Sequence, residues 1–353
     1  MTMNESRVQY PAPVAIEHPE LLAYRSEFPI LQRKTYLNSC SLGALSNRSM
    51  QRLAQFMEMW NEWGAHAWYE IWMGEIAKAR QKFAAIIGAQ LQRIGVECRF
   101  VESPDRIYTP PELFEREVDD KTALVATSRV FYTSGYIQDI RSVADIAHKH
   151  GAYMLVDDYQ GTGQIPINVN AMDVDFLVTG TLKWLMGGPG LAFVYIREGL
   201  ISQLQPTIAG WFGHSEQFQF KTREFDFRPD ATRVEMGTPA VAAIYAANGG
   251  LDIVQEISVE QICERTRYLT NDLIAQAREH GWKVRAPLEP EQRSSIVMLE
   301  IEQPEEVVKA LVARNIITDS RPGLLRASPY FYNTIEENAL VIGAIAEILE
   351  SRK

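Results

Sequence analysis

Short apolar runs alternate with amphipathic segments through the middle of the chain. The run at 122–128 has the length of a buried strand, and the segment after it repeats apolar residues at helical spacing up to Gly151. Two more apolar runs follow at 152–156 and 174–178, and another at 191–197 comes after a glycine-rich turn. The apolar positions of the intervening helix are Ile140, Val143, Ala144 and Ala147. Strands that alternate with helices predict an α/β fold with a mainly parallel sheet.

The pattern differs on either side of this region. Residues 71–87 have helical spacing and end before Gly88, and from about Glu256 long helices alternate with isolated strands. The last helix begins with a capping box formed by Thr334 and Glu337. We therefore predict an N-terminal segment (1–35) packed on the domains, a large α/β domain (36–255) and a smaller α+β C-terminal domain (256–353).

Composition and charge narrow the classes of function. The 353 residues carry a net charge of −10, which disfavours nucleic acid and anionic membranes as partners. No apolar run is long enough to span a membrane. The three cysteines share no C-x-x-C spacing, so neither a disulfide framework nor a metal site is expected and a cytoplasmic location fits.

Candidate chemistry lies where the apolar runs end, because ligands of open α/β sheets bind beyond the carboxyl ends of parallel strands. The polar residues that follow three of the runs are Ser128, Tyr132, Asp157, Asp158, Gln160, Thr179, Thr181 and Lys183. A carboxylate, a lysine and several hydroxyls suit a cofactor with a basic ring nitrogen, an aldehyde and a phosphate, as in pyridoxal 5′-phosphate. Taken alone, Lys183 fits a surface charge after a strand better than a reactive amine.

A site for pyridoxal phosphate requires particular chemistry of its lysine and its carboxylate. A lysine whose pKa is lowered by burial or by a nearby cation can form a Schiff base with an aldehyde. A carboxylate facing the pyridine nitrogen keeps that nitrogen protonated, so that the ring can accept electrons from the substrate's α-carbon. In this scheme Lys183 and Asp157 are the catalytic candidates.

The segment YMLVDDYQGTGQIPINVNAMDVDFLVTGTLKWLMGGPGLAFVY resembles the cofactor-binding core of the class V aminotransferase superfamily. The resemblance implies a three-layer α/β/α large domain of pyridoxal-phosphate fold type I with a smaller C-terminal domain. It places Asp157 at the pyridine nitrogen, Gln160 beside the phenolic oxygen and Lys183 at the Schiff base. Thr179 and Thr181 become weaker candidates for phosphate contact, Tyr132 is a further cofactor-binding candidate, and Leu182 replaces a histidine common in the family.

Segments further along the chain extend the resemblance. AGWFGH (209–214) is similar to kynureninases, with Trp211 and His214 as candidate walls of the substrate pocket, although a Trp-Phe pair more often belongs to a core. Thr238, in RVEMGTPA, implies a phosphate contact across a homodimer with shared active sites. DSRPGLLRASPYFYNT matches the segment whose arginine, here Arg326, binds the substrate carboxylate. Asn38 is the remaining candidate for substrate contact.

Arg321 and Asp158 have simpler interpretations beside these residues. A salt bridge suits Arg321 better than substrate binding, and a loop carboxylate or a helix cap suits Asp158.

Two departures from the family pattern change the expectations. The interval before Arg326 contains no cysteine, which argues against desulfuration through a persulfide. Cys40, Cys98 and Cys263 lie elsewhere in the sequence and are expected to be small buried or partly buried residues. The chain also lacks room between Gly88 and Gly95 for a β-α-β unit of about 30 residues that carries the phosphate-binding turn. Either the protein has lost that unit, or the sequence as given omits it at residues 90–91.

The sequence therefore predicts a pyridoxal-phosphate enzyme that acts on an amino acid or amine. Transamination, epimerisation, β-elimination and kynureninase-like C–C cleavage remain open, so the enzyme is expected to be a transferase, or else a lyase or hydrolase, with the kynureninase and epimerase side favoured. The alternative is a catalytically impaired or non-catalytic fold type I homologue that serves as a binding or scaffold protein.

Overall fold

The computed structural model describes residues 18–40, 43–63, 71–72, 74–75, 78, 97–188, 190–219, 223–287 and 289–352. The helix predicted at 71–87 and the proposed omission at 90–91 lie almost entirely outside these residues.

A four-stranded sheet forms the centre of the large domain. Its spatial order is β2-β3-β4-β5, in which the first three strands are parallel and the fourth is antiparallel. These strands are β2 (Leu124–Ser128), β3 (Tyr153–Asp157), β4 (Phe176–Gly180) and β5 (Ala192–Ile196). The four apolar runs therefore form strands as predicted, and the sheet is mainly parallel.

Helices pack around this sheet and beside it. The helices up to residue 257 are α1 (Asn47–Trp63), α2 (Pro111–Glu117), α3 (Ile140–Lys149), α4 (Glu198–Ile201) and α5 (Val241–Ile257). Helix α3 buries all four of its predicted apolar positions against the sheet, and Gly151 follows it with a left-handed φ of +72°. The helical periodicity thus identified both the buried face and the end of this helix.

The C-terminal part contains a second, antiparallel sheet with long helices. Its strands are β6 (Lys283–Arg285), β7 (Val297–Glu300), β9 (Asp319–Arg321) and β10 (Leu324–Ala327), in the order β6-β7-β10-β9. Its helices are α6 (Val259–Glu279), α7 (Pro304–Ala313) and α8 (Ile335–Glu350). Both hydrogen bonds of the capping box at Thr334 and Glu337 are present, as the sequence predicted.

The described residues of the N-terminal segment, from 18 onwards, pack on the C-terminal part through apolar and charged contacts. Strand β1 (Thr35–Tyr36) pairs in parallel with β8 (Ile316–Ile317). Phe28 is fully buried against Tyr332, and Arg25 forms an ion pair with Glu337. These contacts agree with a segment that packs on a domain, whereas the boundaries at 35 and 255 stay predictions.

Candidate active site

The carboxyl ends of the parallel strands bring the predicted catalytic carboxylate to one edge of the sheet. Ser128 at the end of β2 is paired in register with Asp157 at the end of β3. The Asp157 carboxylate accepts a hydrogen bond from the backbone N–H of Tyr159 at 2.9 Å, and the Ser128 hydroxyl lies 3.4 Å from its other oxygen. These two contacts hold the Asp157 carboxylate in one orientation.

Lys183 lies on the turn after β4, with its Nζ 4.5 Å from the centre of the Tyr159 ring. Burial lowers the pKa of Lys183 to about 8; the positive charge of Arg326 adds to this effect, whereas Cys40 and Asp157 oppose it. About a tenth of the amine is therefore unprotonated at pH 7, far more than in an ordinary lysine, and only the unprotonated amine can attack an aldehyde. Being partly buried in this way, Lys183 is not the simple surface charge that its sequence context alone favoured.

Glycines let the backbone approach closely around this lysine. A Cβ atom at Gly180 would lie 2.4 Å from the Tyr159 ring, so glycine at that position leaves space for the ring beneath the amine. A Cβ atom at Gly43 would lie 2.1 Å from the Lys183 carbonyl oxygen, and the Gly43 N–H donates to the carbonyl of Leu182 at 2.6 Å. The lysine turn is thus held against the segment around residue 43.

Asp158 is fully buried and forms a bidentate ion pair with Arg129. The Arg129 Nε and Nη2 atoms lie 2.6 and 2.9 Å from the two Asp158 oxygens, and Arg129 also donates to the carbonyls of Ile165 and Pro166. Asp158 is therefore a loop carboxylate, as one of the two interpretations has it, but it is fully buried and paired with Arg129. The pair fastens the loop that follows Asp157 to the end of β2.

Gln160 lies on the same loop and is 6% exposed. Its side-chain oxygen accepts a hydrogen bond from the indole N–H of Trp184 at 3.1 Å. Because Trp184 directly follows Lys183, this bond joins the glutamine that is expected beside the phenolic oxygen to the turn that carries the reactive amine.

Arg326 is 1% exposed and lies on β10, directly opposite Asp319 on β9. Its Nη2 donates to Asp319 Oδ2 at 2.5 Å, and Arg321 Nη1 donates to the same oxygen at 2.8 Å. The salt bridge expected for Arg321 is therefore present. Two guanidiniums share one carboxylate, so the cluster keeps a net positive charge that suits a substrate carboxylate.

Cys40 belongs to the same region, although it lies elsewhere in the sequence. It is 1% exposed, and Arg326, Asp319 and Lys183 all act on its charge. Burial raises the pKa of the Cys40 thiol. A buried, protonated thiol is a poor nucleophile. Cys40 and Cys263 are buried as expected, whereas Cys98 is exposed, so the expectation of burial is wrong for Cys98.

Asn38 lies beside this cluster, because it forms a bridge to Ser328, two residues after Arg326. Its side-chain oxygen lies 3.6 Å from the Cys40 sulfur. The N-terminal candidate for substrate contact is thus brought close to the predicted carboxylate-binding arginine.

The two threonines after β4 point their hydroxyls at the backbone. Thr179 donates to the carbonyl of Asp158 at 3.3 Å, and Thr181 donates to the carbonyl of Gly188 at 2.9 Å. Each hydroxyl has one hydrogen, which these bonds use. Their predicted contact with a phosphate would therefore be made as acceptors or through rearrangement, and it stays a prediction.

The remaining candidates lie nearer the surface or within a local hairpin. Tyr132 is 53% exposed, and Thr238 is exposed just before α5. Trp211 is 41% exposed with its ring edge-on to Phe212, so it is not a core residue, whereas His214 is 5% exposed and accepts a hydrogen bond from the Glu216 N–H. Their assigned roles stay predictions.

The described residues fit the ring end of pyridoxal phosphate. A carboxylate held by a hydrogen bond, an amide side chain and an amine of lowered pKa follow the ends of β3 and β4, as the donor chemistry of that ring requires. Two further features lie around these three groups. Arg326 is paired with Asp319, and the Tyr159 ring lies beneath the Lys183 amine.

Comparison with known proteins identifies the family. The family model for "Aminotransferase class-V" matches residues 82–340, which include Asp157, Gln160, Lys183 and Arg326. The chain belongs to the aminotransferase class-V family. It is a pyridoxal-phosphate enzyme of fold type I, as the sequence predicted, and the family acts on amino acids.

Two curated relatives match almost the whole chain. YcbU of Bacillus subtilis (strain 168), described as an uncharacterized aminotransferase, is 29% identical over 371 residues that cover 92% of this chain and 96% of YcbU. A kynureninase of Bacillus cereus (strain ATCC 14579) is 27% identical over 400 residues, covering 96% of this chain and 93% of the relative. Both alignments are longer than this chain, so each relative contains residues that have no counterpart here.

Solved structures support the fold. The apo structure of cysteine desulfurase from Thermococcus onnurineus NA1 superposes with a TM-score of 0.83 at 18% identity, covering 96% of this chain and 99% of that chain. The cystine C-S lyase C-DES, in complex with its product cysteine persulfide, gives a TM-score of 0.81 at 18% identity, covering 91% and 99% of the two chains. At this identity the likeness establishes the architecture and not the reaction.

Several members of the site had no signal in the sequence. Tyr159, Arg129, Trp184 and Asp319 reach the site through contacts that no local spacing indicates. The two consecutive aspartates at 157 and 158 were a partial signal for a buried cation such as Arg129, because a second carboxylate at a buried strand end requires a positive partner.

Proposed function

We propose that this protein acts on a free α-amino acid, that Lys183 carries the cofactor covalently and that the same lysine moves the α-proton. The observation that carries the proposal is the Lys183 amine, with its pKa lowered to about 8, at one edge of the sheet with Asp157. When bound, pyridoxal phosphate supplies an electron sink for the α-carbon. Lys183 Nζ is the base that removes the proton.

Arg326 determines the substrate class in this proposal. Its buried guanidinium shares Asp319 with Arg321, so an incoming carboxylate meets a cluster with excess positive charge. Fixing the carboxylate also fixes the α-carbon relative to the ring, which selects the bond that breaks. An amine without a carboxylate would lose this contact, so the proposal favours amino acids over amines.

The reaction branch that we propose is on the kynureninase and epimerase side. It is supported by the 209–214 segment and by the kynureninase relatives. The absence of a cysteine before Arg326 and the protonated, buried Cys40 argue against persulfide chemistry.

The experiment combines cofactor trapping with proton exchange. Purified protein is incubated with pyridoxal phosphate, reduced with borohydride and digested; we expect the cofactor mass on the peptide with Lys183, and none in Lys183→Ala. Lys149→Ala, which changes an exposed lysine beyond the site, should label like the wild type. Amino acids in D2O, L-kynurenine among them, should then exchange the α-hydrogen with the wild type only.

The outcomes separate the proposal from its alternative. A protein that takes up no cofactor and exchanges no α-hydrogen would support the binding or scaffold role. Cofactor uptake without exchange of any amino acid would contradict the proposed substrate class.

We further propose that the enzyme is a cytoplasmic homodimer with shared active sites. An apolar groove of about 850 Å³ runs between α1, α5 and the glycine turn after Lys183, and Thr238 is exposed beside it. Its lining residues are Leu45, Leu53, Phe56, Trp72, Gly187, Gly188, Gly190, Pro239, Ala240, Val241, Ala242, Ala243 and Ala246. An apolar surface of this extent supports an interface between subunits.

The cytoplasmic location has chemical support. Cys40, Cys98 and Cys263 all lie in the described part of the chain and form no disulfide, as in a reducing compartment. Within the described residues, no helix has both the length and the apolar character that crossing a membrane requires.

A phosphate-binding unit is the remaining part of the proposal. The relatives carry residues without a counterpart here, and we infer that the β-α-β unit expected between Gly88 and Gly95 is among them. An intact mass of the protein expressed from its native gene tests this inference: a mass of about 40.0 kDa means that the protein lacks the unit, and a larger mass means that the sequence as given omits it.

A further inference from the structure

Trp184 is one of the largest fully buried side chains and makes a single directed polar contact. Its relative exposure is 1%, and its indole N–H donates to the side-chain oxygen of Gln160 at 3.1 Å. An indole N–H can only donate a hydrogen bond, so its partner must present an acceptor atom to it. The oxygen end of the Gln160 amide must therefore face Trp184.

This constraint decides what Gln160 offers on its other side. The two ends of a glutamine amide are of similar shape, and only hydrogen bonds decide which end faces which way. With the oxygen held by Trp184, the NH₂ group is the end that remains for an acceptor. In a site that binds pyridoxal phosphate, the acceptor of matching chemistry is the phenolic oxygen.

Trp184 is itself held in place by the C-terminal part of the chain. Its ring is edge-on to Tyr330 with centroids 5.1 Å apart, and the Tyr330 hydroxyl lies 2.6 Å from the Gly163 carbonyl and 2.9 Å from the Trp184 carbonyl. Gly163 allows this approach, because a Cβ atom there would lie 3.1 Å from the Trp184 carbonyl oxygen and its φ is +91°. One tyrosine thus joins the glutamine loop to the lysine turn.

A second contact fastens the Gln160 backbone from the same side. The Gln164 side chain donates to the Gln160 carbonyl at 2.5 Å and accepts from the Ser295 N–H at 2.9 Å. Both the backbone and the side chain of Gln160 are therefore fixed by residues that pack against the C-terminal part.

We propose that Trp184 is a positioning residue that orients the Gln160 amide, so that its NH₂ group donates to the phenolic oxygen of pyridoxal phosphate. This inference rests on the proposed function. It adds that the polarity of Gln160 is imposed by its neighbour and that Tyr330 holds this neighbour in place.

The test measures the cofactor's absorbance against pH in the absence of substrate. A hydrogen-bond donor at the phenolic oxygen stabilises the anionic form of that oxygen, and the stabilised anion holds a neighbouring proton less strongly. Losing the donor therefore raises the pH midpoint of the absorbance change. We expect Trp184→Phe to raise this midpoint by about one unit, the scale of one hydrogen bond. The charged and thiol groups that act on Lys183, which are Cys40, Asp157, Arg321 and Arg326, are unchanged in this variant.

A double mutant distinguishes positioning from loss of packing. In a Gln160→Ala background no amide remains to be oriented, so adding Trp184→Phe should leave the midpoint where Gln160→Ala puts it. Trp282→Phe, which removes a partly buried indole stacked on His280 in the C-terminal part, should titrate like the wild type.

Each result bears on a different statement. A wild-type midpoint in Trp184→Phe, or an equal shift in the Gln160→Ala background, would overturn the positioning role while leaving the proposed function intact. A wild-type protein that stays colourless with added cofactor would overturn both.

Discussion

The surroundings of Lys183 change the pKa of its amine. In the described part of the chain no carboxylate forms an ion pair with its Nζ, and an aromatic ring occupies the space beneath the amine. Losing water without gaining a close counter-charge disfavours the ammonium form, and burial is the largest cause of the lowered pKa. Burying a charged amine in this way lowers the free energy of unfolding of the protein.

Replacing this lysine by a neutral residue should therefore stabilise the cofactor-free protein. The pKa of Lys183 falls from 10.5 to about 8 on folding, so the folded protein loses stability wherever the amine is charged in the unfolded chain. We expect Lys183→Met to raise the free energy of unfolding at pH 7 by roughly 2 kcal/mol. The gain should be complete below pH 8 and decline as the pH rises towards 10.5.

Urea unfolding of the apoprotein at several pH values measures this effect. Lys149→Met, at an exposed lysine, should leave the unfolding midpoint unchanged throughout. A gain that grows between pH 8 and 10.5 would contradict the assigned sign.

Arg326 should distinguish amino acids from amines. Lysine at this position keeps a positive charge but loses the planar fork that binds a carboxylate through two hydrogen bonds. We expect Arg326→Lys to weaken amino-acid binding about tenfold or more, whereas binding of the decarboxylated amine should change little.

Spectral titration of the holoenzyme gives both affinities. Arg321→Lys is the matched control, because Arg321 also contacts Asp319 but is more exposed, and its effect should be smaller. Equal losses for the amino acid and the amine would place Arg326 outside the substrate site.

At the scale of elements, the carboxyl end of β3 is fastened by a buried ion pair. Asp158 follows the last residue of the strand, and Arg129 follows β2, so the pair ties two parallel strands together beside the predicted catalytic carboxylate of Asp157. Removing one partner of a buried pair leaves the other charged without compensation. The loop with Gln160 depends on this pair, since Thr162 donates to Asp158 as well.

We expect Arg129→Met to destabilise the protein by about 3 to 5 kcal/mol, because Asp158 is left as an unpaired buried charge. Arg129→Met combined with Asp158→Asn should recover part of this loss. Thermal or urea unfolding gives the values.

The exposed pair of Arg141 and Asp145 provides the control on the same molecule. Arg141→Met should change the free energy of unfolding by no more than about 0.5 kcal/mol, as is usual for an i, i+4 pair at the surface. Similar losses for both arginines would contradict the tie between β2 and β3.

At the scale of the whole molecule, the apolar groove beside the glycine turn determines the assembly that we propose. A charged residue in a buried interface is strongly unfavourable, so Ala243→Asp should convert the dimer to a monomer. Light scattering after size exclusion measures this, and Ala275→Asp, at an exposed position of α6, should remain dimeric. A wild type that is monomeric at all concentrations would rule out this interface.

Much of the molecule follows from local signals. Short apolar runs predicted the four strands of the large sheet, helical spacing predicted the buried face of α3, and the capping box predicted the first residue of α8. These features depend on neighbours within a few residues, which is why one sequence is sufficient to find them. The expectation about the phosphate-binding unit is not tested in this way, because the residues between Gly88 and Gly95 lie outside the described part of the chain.

The sequence by itself determined the fold class and the family, and it predicted Asp157, Gln160, Lys183 and Arg326 as site residues, all of which lie within the range that the family model matches. Only the tertiary structure decided how these residues are held, through Tyr159 beneath the lysine and Trp184 against the glutamine. The same is true of the ion pair behind Asp157, the carboxylate shared by two arginines and the buried thiol beside them. The physical reason is that burial and long-range contacts join residues far apart in the chain, and these contacts determine pKa values and orientations that no local spacing contains.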